Sequence, residues 1–149
     1  MSNFQSESKK SGDEFELIVL KDLKERGFSN IKTNVHMAGT GCEVDFLADE
    51  KEYVESKGGK DDLGKRPGAQ RTDNVKKAIA NGALIKAKYP NIYYVVYFSA
   101  KPITKSYSAE MIDTALCHKI IDEVRYITNR TQNTDELVLF KMDESEAQK

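Results

Sequence analysis

The sequence predicts an α/β domain, a mixed central β-sheet flanked by helices. Three observations carry that prediction. Two short stretches, "EVDFLAD" (43–49) and "EYVESK" (52–57), alternate with period two around a tight "DEK" junction, which reads as a hairpin. "NIYYVVYFSA" (91–100) is apolar on both faces, as a central strand covered on both sides should be. Helical patterns fall between the strand patterns, so the order is helix, strand, hairpin, helix, strand, helix.

Each element follows from local signals. Residues 1–11 are polar and read as a frayed tail. Ser11 is placed to cap a helix from Gly12 to about Arg26, with acids in its first turn, basic residues towards its end and Gly27 to stop it. "NIKTNVHM" (30–37) reads as a first strand and "MAGTG" (37–41) as a glycine-containing turn. After the hairpin, "GGKDDLGKRPG" (58–68) is a loop. Gln70 to about Lys88 is a second helix, beginning near Thr72 and ending before Pro90. "SAEMIDTALCHKIIDEVRYI" (108–127) reads as a third, long helix. "ELVLFKM" (136–142) reads as an edge strand, and 143–149 as a flexible polar tail. No internal repeat and no second domain are visible, so residues 1–149 form a single unit.

Composition narrows the class. Hydrophobic residues make up 39% and charged residues 32%, the balance of a globular domain rather than a disordered chain. No apolar run approaches the ~20 residues of a membrane span, and the N-terminus lacks an apolar signal region. The expectation is a cytoplasmic or otherwise intracellular protein whose two cysteines, Cys42 and Cys117, stay free thiols. Net charge is −1, so any polyanion site has to be a local patch.

Several acids sit where a core residue should be. On a helical wheel with Phe15 at zero, Phe15, Val19, Leu23 and Leu20 span roughly 0° to 140°. Glu16 falls near 100°, inside that arc, whereas Glu14 lies with the lysines on the far side. A buried, unpaired carboxylate is costly unless it faces a polar cleft, a cation or a metal. In the hairpin, Val44, Phe46 and Ala48 share one face, and Asp45, Leu47 and Asp49 the other. Tyr53, Glu55 and Lys57 share a face of the next strand. Pairing then lets Asp45 and Glu55 lie on the same side, where two like charges repel. A Mg²⁺ ion between them turns that repulsion into binding, with the Ser56 carbonyl as a third protein ligand. Lys57 projects from the same face and can reach a metal-bound water or a phosphate oxygen.

Asp45, nine intervening residues and then Glu55-Ser56-Lys57 resemble the catalytic core of the PD-(D/E)XK nuclease superfamily, the restriction-endonuclease-like fold. Asp45 matches that family's first acid and Glu55-Ser56-Lys57 its acid-x-lysine strand. "GDEFELIVLKDLKERGF" is similar to the preceding helix of the family, with Glu16 in the site-facing position. Val44 stands where the motif's proline would be. The resemblance implies a Mg²⁺-dependent endonuclease, with Mn²⁺ able to substitute. Glu16, Asp45, Glu55 and Lys57 are its catalytic set, and Asp45, Glu55, the Ser56 carbonyl and Glu16 its metal donors. It also implies in-line hydrolysis leaving a 5′-phosphate and a 3′-hydroxyl. The wording of the motif looks most like Holliday-junction resolvases and other small stand-alone nucleases. A site-specific restriction or intron-encoded homing endonuclease is the alternative, and a non-cleaving nucleic-acid-binding module a further one.

Seven basic residues and three acids lie between Lys57 and Lys77, a local surplus of four. Lys60, Lys65, Arg66, Gln70, Arg71 and Lys77 are the candidate DNA contacts, since cationic side chains and helix N-termini supply most sequence-independent affinity. One site per small chain implies a homodimer or higher homo-oligomer for cutting both strands of a duplex. His36 and His118 read as structural or surface residues, and the scattered cysteines and histidines do not form a zinc pattern.

Overall fold

The computed structural model describes residues 3–58, 66–131 and 137–142, with side chains from Glu14 to Gly58 and from Arg66 to Ile127. The chain order is α1 (Asn3–Glu25), β1 (Ile31–Met37), β2 (Cys42–Ala48), β3 (Glu52–Lys57), α2 (Thr72–Lys88), β4 (Tyr93–Phe98), α3 (Tyr107–Cys117), β5 (Glu123–Thr131) and β6 (Leu137–Met142). A 3₁₀ turn at Gly68–Gln70 leads into α2. The six strands form one mixed sheet in sequential order, β1 to β6. β3, β4 and β5 run parallel, and the remaining pairs are antiparallel.

That topology decides where the helices go. The two parallel steps, β3 to β4 and β4 to β5, each need a crossover, and crossovers of one hand put both helices on one face. α2 and α3 accordingly cover one side, packing over Val44, Tyr94, Val96, Phe98 and Tyr126. α1 covers the other with Phe15, Val19 and Leu23 against Phe46, Val54, Val95, Tyr97 and Ile127. β4 is apolar on both faces because both faces are roofed, as its sequence predicts. Among the described residues, no helix is long and apolar enough to cross a membrane.

Three sequence expectations are corrected. First, α1 begins at Asn3, so Ser11 is not its cap and residues 3–11 are not a tail. The segment contains no proline, and its lysine, glutamate and glutamine residues all favour helix. Residues 143–149 lie outside the described residues. Second, the predicted helix 108–127 is two elements. α3 ends at Cys117, and Glu123–Thr131 is strand β5. Ile120 N–H donates to Ala115 O at 2.9 Å and Lys119 N–H to Leu116 O at 3.2 Å, with Lys119 left-handed at φ 59°. This is a Schellman stop carried by lysine instead of glycine. The following Val124, Tyr126 and Ile127 are strand formers buried between neighbours. Third, Val44 does not share a face with Phe46 and Ala48. Cys42 and Val44 pack with the α2–α3 layer, whereas Phe46 and Ala48 pack with α1.

Candidate active site

The third correction builds the site. In β1 and β2, the pairs Thr33↔Phe46 and Val35↔Val44 flank a missing one, Asn34 opposite Asp45. Asn34 is left-handed at φ 51°, a conformation asparagine tolerates better than most residues. The hairpin turns over at this point, so side chains on either side of it serve opposite faces of the sheet. The β2–β3 ladder stops there too, at Phe46↔Val54. Continued by one residue, it would set Asp45 opposite Glu55. Instead, Asp45 Oδ2 accepts the Ser56 N–H at 2.7 Å and the Ser56 hydroxyl at 3.0 Å. A carboxylate takes the place of a strand carbonyl, and the sheet opens beside it.

Glu55 lies across the opening. It is only 4% exposed. Its Oε2 pairs with Lys57 Nζ at 3.0 Å and accepts from Asn81 Nδ2 at 3.2 Å. Burial pushes its carboxyl up to about 7, and the negative charge of Asp45 adds to the rise, while Lys57 and Asn81 pull it back only in part. The structure thus brings Asp45, Glu55 and Lys57 together. Among the described residues, Asp45 Oδ1 and Glu55 Oε1 have no hydrogen-bond partner, so each acid has one oxygen held and one open. A strand residue points its N–H and C=O the same way, so the Ser56 carbonyl faces the same gap as its N–H. Two carboxylate oxygens and a carbonyl are hard donors that suit Mg²⁺ with waters retained.

Glu16 is half-buried on α1. Its helix is pinned to the end of β3: a Cβ on Gly58 would come within 2.6 Å of Phe15 Cβ, so only glycine lets α1 close over this strand. Among the described residues, no group of three or more acids, histidines or cysteines converges, so Glu16 does not form a trio with Asp45 and Glu55. The buried Tyr94 phenol is held well above its usual range, by burial first and then by the charges of Glu55 and Asp45. It donates to Ala78 O at 3.0 Å and stays a neutral floor under the site.

Two residues escape the sequence reading. Asn81 reaches Glu55 from α2, and its Oδ1 accepts from Cys42 Sγ at 3.6 Å. Asn74 donates to Gly68 O at 3.0 Å and Gly58 O at 3.4 Å, tying these two backbone positions to the start of α2. A signal existed. Asn74, Ala78, Asn81 and Ile85 recur at helical spacing along the inward side of α2, where Asn74 is buried and Asn81 half-buried.

The candidate DNA contacts divide. Arg66 is exposed, and Gln70 and Arg71 are half-buried around the start of α2. This start abuts the exit of β4, where Ala69 N–H donates to Ala100 O at 3.0 Å. Ser99 N–H in turn donates to Lys57 O at 3.2 Å, so these residues share the sheet edge with the acids. Lys77 pairs with Asp73 at 3.2 Å, both exposed, which offsets its charge. Lys60 and Lys65 lie outside the described residues. A cavity of about 620 Å³ between α2 and α3, lined by Ile79, Tyr107 and Met111 among others, is apolar and contains none of the site acids. Cys42 is a buried free thiol and Cys117 an exposed one. Compared with protein-family models, curated proteins and solved structures, the chain finds no match.

Proposed function

We propose that the chain is a Mg²⁺-dependent DNA endonuclease of the PD-(D/E)XK type. The observation that supports this most strongly is the pair of neighbouring carboxylates, each with one oxygen held by the protein and one open, at a break in the ladder beside a lysine. A cation there relieves both the burial of Glu55 and its repulsion by Asp45. Asp45 Oδ1, Glu55 Oε1 and the Ser56 carbonyl would hold the metal, and Mn²⁺ fits the same donors. Bound Mg²⁺ supplies Lewis acidity and a water of lowered pKa. Lys57, beside Glu55 at 3.0 Å, would donate to a water or a non-bridging phosphate oxygen and stabilise the charge that develops there. Glu16, outside that donor set, would act from α1 only on a second ion or its water. Arg66, Gln70 and Arg71 would grip the phosphate backbone beside the start of α2, with Lys60 and Lys65 as further candidates from the sequence.

The proposed substrate class is branched or duplex DNA cut by a homodimer, one site per strand. A site-specific restriction or homing activity remains the second reading. The test is cleavage of supercoiled plasmid and of a four-way junction by purified protein with Mg²⁺ or EDTA, alongside Lys57→Ala. The expected outcome is Mg²⁺-dependent cutting that falls by about 10²-fold or more in the variant, the usual cost of losing a positioned proton-handling group. Preference for the junction would mark a resolvase. Binding that persists in EDTA with no cutting under any condition would mark a non-cleaving module.

A further inference from the structure

We infer that Asn81 is a positioning residue for Glu55, acting on metal uptake at this site; the inference rests on the metal-dependent reading above. Glu55 Oε2 has two protein partners, Lys57 Nζ at 3.0 Å and Asn81 Nδ2 at 3.2 Å. Lys57 has three N–H donors to divide, so serving a water or a phosphate oxygen loosens its hold on Glu55. When it turns to substrate, Asn81 is the partner that remains on Oε2 among the described residues. Oε1 is thereby kept available while the ammonium is engaged elsewhere.

Asn81 is itself held. It sits on the inward side of α2 between the fully buried Ala78 and Ile85. Its Oδ1 accepts from Cys42 Sγ at 3.6 Å, a thiol whose single proton is shared with Thr40 O at 3.7 Å. With the oxygen of the amide turned to the thiol, its NH₂ faces the carboxylate. Thr40 Oγ1 accepts the Cys42 N–H at 3.0 Å, so the chain of contacts begins in the turn before β2 and ends on Glu55. The amide suits the task for an electrostatic reason. A second lysine here would neutralise the acids and repel a cation; an amide donates an N–H without adding charge. Groups that orient a ligand in this way typically change metal affinity about 10- to 100-fold when removed.

The experiment is calorimetric titration of wild-type protein, Asn81→Leu, Asn81→Ala and Glu55→Gln with Mn²⁺ in the absence of DNA, with thermal unfolding of each. The inference expects Asn81→Leu and Asn81→Ala to bind Mn²⁺ at least about tenfold more weakly than wild type. The Mg²⁺ concentration for half-maximal cleavage should rise by a similar factor, while the rate at saturating Mg²⁺ changes less. Asn81→Gln, which keeps the donor, should recover part of the affinity. Wild-type Mn²⁺ affinity in a folded Asn81 variant, with Glu55→Gln impaired, overturns the inference and leaves the nuclease reading standing; Asn81 then only ties α2 to the sheet. Should Asn81→Leu fold poorly, the smaller Asn81→Ala decides by the same criterion. Wild-type protein that takes up no Mn²⁺ overturns both together.

Discussion

Glu55 and Arg125 are buried to nearly the same degree, 4% and 5% exposed, on opposite faces of one sheet. Their surroundings differ in kind. Arg125 makes four hydrogen bonds: NH1 and NH2 grip the two oxygens of Glu52 at 2.9 Å each, Nε reaches Glu123, and NH1 also meets the Tyr97 hydroxyl at 2.8 Å. The Tyr97 hydroxyl in turn donates to Asp22 at 2.7 Å, and Asp22 also accepts from Arg26 Nε at 2.8 Å. Burial alone would raise Glu123, yet the Arg125 hydrogen bond and charge outweigh it and hold that carboxyl below its usual value. Burial also raises Glu55, and there the neighbours do not compensate; Asp45 adds to the rise. One cluster is electrostatically closed and suits a structural tie. The other has a deficit of positive charge beside a break in the β2–β3 ladder. Buried charge by itself therefore identifies neither; the state of compensation separates them.

The comparison can be broken most forcefully at Arg125. Arg125→Met should cost about 3–5 kcal/mol, because Glu52 and Glu123 are left in the sheet without their partner. Denaturant unfolding measures this, and Mn²⁺ affinity at Asp45 and Glu55 should be unchanged. A loss below about 1 kcal/mol would mean that the two clusters are not different in kind.

The next effect is a pH slope. A carboxyl raised in the folded state binds its proton more tightly there than in the unfolded chain. The stability it lends is complete below the unfolded value of 4.5 and is lost as pH rises to about 7. Its size is roughly 3 kcal/mol at most. Glu55→Gln, which cannot ionise, should flatten that fall. Glu123, held low, runs the other way: its contribution is present above its unfolded value and is lost as pH drops through the folded one. Unfolding curves across pH 4 to 8 for wild type and Glu55→Gln would show whether the site acid carries the neutral-range slope.

The smallest effect belongs to the exposed rim. Arg66→Ala should leave stability unaltered and lower the salt dependence of DNA binding by about one counterion. An unchanged salt slope would remove Arg66 from the proposed contact surface.

Much of this was legible in the sequence, and the reasons are local. The hairpin, the two-faced β4, the start of α2 and the acid-x-lysine strand each depend on residues a few positions apart. The end of α1 is the clearest instance. Gly27 is left-handed at φ 100°, Phe28 N–H donates to Leu23 O at 3.2 Å, and the glycine announces the stop. α3 ends with the same bonding geometry on Lys119, and no local signal marks a lysine for that role. The sheet decided it, because Val124, Tyr126 and Ile127 bury more between strands than along a helix.

The site divides in the same way. Asp45, Glu55 and Lys57 were readable because their spacing along two adjacent strands is short-range. The flip of the hairpin at Asn34 and Asp45 was not, since strict alternation assigns one face to a strand from end to end. Nor were the Asn81 contact, the Asn74 clamp or the Arg125 network, each of which includes a partner 16 to 73 residues away. Sequence determined which groups this protein owns and where most of its elements lie along the chain. Tertiary structure alone decided which carboxylates are compensated and which are left open, because burial and charge pairing depend on distances that only the folded sheet creates.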